Sequence, residues 1–234
     1  MNMIGIIGAM DEEVAILKEK MELENVTTKA GMTFFKGKLE HRPVVIVRSG
    51  IGKVNAALCA QILISEYQAS AIINTGVAGA IYEQLEVGDI VVSTDVIEHD
   101  FDVTSFGTYR LGEIPRMDTY IFKADETLID VAMKAGLKEN RKHKTIKGRV
   151  LSGDIFVASS EKKELLWNEF EGYCTEMEGA AIGHVCYVNA VPFVIIRAIS
   201  DKADGTADVN FNEFVHEAAH NSSEITIDML KHIK

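Results

Sequence analysis

Met3-Ile-Gly-Ile-Ile-Gly-Ala-Met-Asp-Glu-Glu13 opens on an apolar run, turns at Gly8 and becomes acidic where a helix would begin. A nearly continuous apolar run suits a strand covered on both faces, as in the parallel part of an α/β sheet. The pattern returns at Val44–Val47, Ala71–Ile73 and Phe193–Ile196, and in shorter form at Asp89–Val92 and Val150–Leu151. Helical patterns lie between the runs, at Glu12–Lys20, Lys53–Tyr67, Asp125–Ala135, Ser160–Phe170, Gly179–Val188 and Phe211–Ile233. This alternation predicts an α/β fold. With 234 residues, no internal repeat and no shift of composition marking a linker, the chain reads as one domain spanning 1–234. The longest irregular stretch, His99–Tyr120, carries several aromatics and is long enough to expect a function for it.

Composition narrows the partners. Hydrophobic residues make up 47% and charged residues 25%, an ordinary globular balance. The 24 Lys and Arg stand against 35 Asp and Glu, for a net charge of −11. So acidic a surface repels phosphate backbones and anionic lipids, which argues against nucleic-acid or membrane partners. The one basic stretch, Lys138–Arg149, lacks interleaved aromatics and reads as a solvated connection. Three cysteines with no C-x-x-C pair suit a reducing compartment, and no apolar run reaches a membrane span. The expectation is a soluble, cytoplasmic protein.

The sharpest motif, His216-Glu-Ala-Ala-His220, matches a zinc-protease pattern. Helical spacing puts Phe211, Val215, Ala218, Ser222, Ile225 and Met229 on one face and both histidines on the other, polar face. Few residues follow to bring a third ligand, so no metal is expected. Ser49-Gly-Ile-Gly-Lys53 and Asn74-Thr-Gly-Val-Ala-Gly-Ala80 lack phosphate-loop spacing and read as turns whose backbone, at Ala78 and Gly79 for example, can approach a ligand closely. Thr175-Glu-Met-Glu178 fits a capping box, with Glu178 reaching back. Glu13, Glu178 and Asp201 all fall just beyond strands or at the helix starts that follow them. That is the edge where open α/β sheets bind ligands. Carboxylates beside glycine-rich turns are also what acid–base cleavage of a glycosidic bond requires.

Taken in order, Gly5–Glu13, Ser49–Lys53, Asn74–Gly79, Val87–Val92, Asp102–Gly107, Ser152–Phe156, Glu176–Glu178 and Arg197–Asp201 closely resemble the bacterial 5′-methylthioadenosine/S-adenosylhomocysteine nucleosidases of the purine nucleoside phosphorylase superfamily. The resemblance spans Met3 to about Phe214. It implies a three-layer α/β/α fold around a mixed, partly barrel-like sheet. It also implies a homodimer and hydrolysis of the adenine–ribose bond without metal or cofactor. By the same resemblance Asp201 protonates adenine N7 and Glu13 activates the attacking water. Glu178 takes the ribose hydroxyls, with Met177 and Met10 flanking the sugar. Phe156 stacks on the purine, and the Val157 backbone reads its edge. Ser200 and Arg197 are implied supports of Asp201. The 5′-alkylthio pocket is implied to combine Ile51, Phe211 and Met10 of one subunit with Val103, Phe106 and Pro115 from the 99–117 loop of the other.

An ordinary Asp titrates near about 3.9, so an acid working at neutral pH needs help. With Arg197 taken to lie nearby, the expectation is that Asp201 gains its proton only with substrate. A phosphate-dependent phosphorylase and a non-catalytic nucleoside binder are the alternatives. The phosphorylase needs cations around its nucleophile, and Arg48 is the nearest candidate. The chain departs from the family at Val77, where a small hydroxyl residue is common, at Ala80, where glycine is usual, and in the length of Thr108–Pro115.

Overall fold

The structure, a computed structural model, describes residues 3–138 and 142–233. Its strands are β1 Met3–Gly8, β2 Glu22–Lys29, β3 Met32–Leu39, β4 Arg42–Arg48, β5 Ala69–Ala80, β6 Ile90–Glu98, β7 Phe122–Lys123, β8 Thr145–Ser152, β9 Cys174–Glu176 and β10 Phe193–Asp201. Its helices are α1 Asp11–Lys20, α2 Lys53–Tyr67, α3 Glu126–Gly136, α4 Ser160–Phe170, α5 Gly179–Val188 and α6 Ala207–Leu230. All strands join one mixed sheet.

The buried apolar runs do form its parallel centre: β1 lies between β4 and β5, and β5 pairs in parallel with β10. Beyond β5 the sheet curls on itself. β10 also pairs with β6, β6 with β8, β8 with β9, and β9 returns to β5, closing a five-strand ring. Helices α2 and α5 pack together on one side, and α6 packs with α1 and α3 on the other, giving the layered mixed α/β fold. Sequence capping fixes several helix starts: Asp125 accepts from the Leu128 amide at 3.0 Å and Ser159 from the Lys162 amide at 3.1 Å.

Four strands escape a search for apolar runs. β2 is exposed along its whole length at the sheet edge, and β3 mixes buried with half-exposed and exposed residues in no strict alternation. β7 and β9 are only two and three residues long. The stretch Asn74–Ala80 is not a turn but the buried second half of β5. Thr145–Arg149 of the basic stretch likewise enters β8 rather than a solvated connection, while Glu139–Arg141 lie outside the described residues. No helix among the described residues is long and apolar enough to cross a membrane.

Candidate active site

The carboxylates converge because three strands of the sheet end on one side. Glu13 comes from the first turn of α1, just after β1. Its Oε2 accepts from the amides of Ala9 (2.6 Å) and Met10 (3.0 Å), and its Oε1 from Val77 (3.0 Å). The acidic helix start is thus both a local cap and a side chain turned inward. Burial raises the Glu13 pKa above the usual carboxylate range, against the opposing pull of Arg197 and the three amides.

Arg197, only 1% exposed, lies in β10 behind this wall. Its Nη2 donates to Asn74 Oδ1 (2.6 Å) and to Glu176 Oε2, and stands 3.7 Å from Glu178 Oε2. No hydrogen bond joins it to Asp201 among the described residues, so the expected support is corrected: Arg197 holds Glu176 and leaves the end of β10 to other donors. Four residues along an extended strand separate Arg197 from Asp201 by about 13 Å. The expected capping box is also corrected. Thr175 belongs to β9, and it is Glu176 that accepts from the amides of Glu178 (3.0 Å) and Gly179 (2.8 Å). Freed from capping, Glu178 accepts at Oε1 from the Gly52 amide at 2.8 Å. Burial, with Glu176 beside it, pushes Glu178 up to about 8 despite Arg197.

Asp201 closes β10. Ser200 Oγ donates to its Oδ2 and the Ala203 amide to its Oδ1, each at 2.8 Å. Burial still raises its pKa over these two stabilising bonds. Gly79 leaves the room: a Cβ there would stand 2.7 Å from Asp201 Oδ1.

Glu13, Glu178 and Asp201 line one cavity of about 360 Å³ with Met10, Ile51, Ala78, Gly79, Phe156, Met177, Ser200 and Phe211. That volume suits a nucleoside-sized ligand. Ala9, Val77, Thr175 and Glu176 line it as well and were not among the site residues expected from sequence. The nearest signal for Glu176 was its place two residues before Glu178. Val157 is not on the lining; it packs behind, in the apolar cluster with Leu151, Leu166 and Phe170. Val103, Phe106 and Pro115 do not line this chain's own cavity, and Phe106 is 71% exposed.

Arg48 lies outside the cavity, 3.4 Å from Asp11, and no Lys or Arg is among the lining residues. His216 and His220 are exposed on α6, beside a shallow groove with Asp11, Glu12 and Glu19. Among the described residues no three His, Cys, Asp or Glu side chains are grouped to hold a metal ion.

The chain that folds into this ring-closed sheet matches the sequence pattern of the Phosphorylase superfamily over residues 3–232. The 5′-methylthioadenosine/S-adenosylhomocysteine nucleosidase of Staphylococcus haemolyticus is 45% identical, covering 98% of this chain and 99% of that one. The nucleosidase of Neisseria meningitidis, solved in complex with methylthio-immucillin-A, superposes with a TM-score of 0.95 at 38% identity over the full length of both chains. Futalosine hydrolase of Helicobacter pylori superposes at 0.93 and 31% identity, covering 99% of this chain and 98% of that one. The chain belongs to the 5′-methylthioadenosine/S-adenosylhomocysteine nucleosidase family.

Proposed function

We infer that this chain hydrolyses the adenine–ribose N-glycosidic bond of 5′-methylthioadenosine and S-adenosylhomocysteine. The observation that carries the reading is a single nucleoside-sized cavity that holds Glu13 and Asp201 and has no cation on its lining. Glu13 abuts Gly76 and Asp201 abuts Gly79, residues about 10 Å apart along β5. Both carboxylates thus sit against β5 and border the same cavity.

Asp201 donates its proton to adenine N7, and its raised pKa favours the protonated form this step needs. The C–N bond breaks toward an oxocarbenium-like ribose, whose positive charge the surrounding carboxylates stabilise. Glu13 takes a proton from the water that adds to the anomeric carbon. Glu178 engages the ribose hydroxyls between Met177 and Met10. Phe156, set edge-on to Phe211 at 5.8 Å, stacks on the purine. Ile51 and Phe211 offer the 5′-alkylthio group an apolar wall.

The reading extends to a single domain over 1–234, acting in the cytoplasm as a homodimer. Val54 and Leu58 form an exposed apolar stripe on α2, Ile51 is exposed in the turn just before it, and Val188 of α5 is also bare. A second copy covering that stripe would bring Val103, Phe106 and Pro115 of its 99–117 loop to the 5′ pocket. Val54→Glu is then expected to give monomers in sedimentation and to weaken substrate binding.

One assay tests the reaction. Purified protein with 5′-methylthioadenosine is expected to release adenine at the same rate with and without phosphate. Phosphate dependence would identify a phosphorylase, and no release a nucleoside binder. Parallel reactions with S-adenosylhomocysteine and aminofutalosine rank the substrates.

A further inference from the structure

Lys53, the first residue of α2, sits away from the reacting bond and yet is tied to the site by a closed set of contacts. Its backbone amide donates to Asp154 Oδ1 at 2.8 Å, and the Asp154 amide donates to Asp100 Oδ2 at 2.8 Å. Lys53 Nζ then donates to Asp100 Oδ1 at 2.6 Å, which completes a ring of three hydrogen bonds. The same ammonium reaches Glu98 Oε2 at 3.1 Å, and Glu98 Oε1 meets His184 Nδ1 at 3.0 Å. Lys53 is the cation that separates Glu98 from Asp100 at a place where all three side chains are at most 16% exposed.

The residue just before it is Gly52, whose amide is the donor to Glu178 Oε1. Gly52 has φ near +97°, open to glycine alone, and a Cβ there would stand 3.0 Å from Asp154 Oδ1. Such a backbone needs its neighbours fixed to keep one amide on target, and the Lys53 ring supplies that fixing. We propose that Lys53 is a positioning residue for sugar recognition: it holds the Gly52 amide on Glu178, so that selectivity for ribose depends on an ammonium that does not line the cavity.

The inference rests on Glu178 as the ribose ligand. The experiment compares kcat/KM for 5′-methylthioadenosine and its 2′-deoxy analogue in wild type, K53M, K53R, D154A and E178Q. In wild type the ratio of the two reports the hydroxyl contact, and E178Q is expected to shrink it. K53M should shrink it by about tenfold, the scale of leaving one buried acceptor without its donor, mainly through KM. K53R should keep most of it. D154A removes the acceptor of the Lys53 amide on an exposed residue without stranding Glu98 and Asp100, and should act like K53M if that variant folds poorly. Equal losses on both substrates in K53M and D154A, or none, overturn the proposal while E178Q still moves the ratio. If E178Q leaves the ratio unchanged, the reading of Glu178 fails and the proposal with it.

Discussion

The Glu13 carboxylate and the Arg197 guanidinium meet over the Cα of Gly76. A methyl group built there would overlap Glu13 Oε1 and stand 2.8 Å from Arg197 Nη1. The base is therefore seated by the absence of a side chain on a neighbouring strand as much as by its own hydrogen bonds. Gly76→Ala is expected to keep the fold and lose about 10²-fold or more in kcat, the scale of displacing a positioned group. Circular dichroism beside steady-state kinetics checks both halves.

Asp201→Asn and Glu13→Gln should each bind substrate and lose about 10²–10⁴-fold in turnover, the usual worth of a positioned acid or base. Calorimetric binding of 5′-methylthioadenosine with wild-type affinity, alongside collapsed kcat, is the expected pair of results. Wild-type turnover in either variant would refute the assigned role.

Glu178 links stability to pH. Its folded-state pKa of about 8 lies above the unfolded value, about 4.3. The folded protein thus holds a proton that the unfolded chain releases, and that contribution is present below about pH 4.3. It is lost as pH rises through about 8. The Tm of wild type should therefore fall relative to Glu178→Gln across this window and run parallel to it on either side. Thermal melts of the two proteins at several pH values measure it.

Arg197→Met leaves Glu176 buried without its cation, beside Glu178 and Glu13. Removing one partner of a buried pair costs about 3–5 kcal/mol. Denaturant unfolding should show a loss of that size, and Glu176→Gln combined with Arg197→Met should recover part of it.

The parallel centre of the fold was readable because burial on both faces demands unbroken apolar runs, and the bounds of α2, α4 and α5 because caps and glycines punctuate them. Edge strand β2 was not readable: solvent on both faces removes the alternation that marks a strand. The second half of β5 misled for the opposite reason. Its glycines looked like a turn, whereas they make space for Glu13, Arg197 and Asp201 against an extended strand. Arg197 was assigned to Asp201 by the family resemblance, but its partners are fixed by the sheet, which brings Asn74 and Glu176 to it from other strands. Glu178 was legible as a carboxylate at a helix start; the Gly52 donor that orients it comes from a residue 126 positions away.

The five-strand hoop of β5, β10, β6, β8 and β9 has a consequence for traffic through the cavity. Parting any one seam leaves its two strands tethered around the other side, so the walls cannot spread to admit a nucleoside. Entry and exit fall to the rim, where exposed Phe156 on a loop and half-buried Phe211 near the start of α6 pack edge to face. Hydrogen–deuterium exchange should find the hoop amides silent on ligand addition and the slowing confined to those two borders.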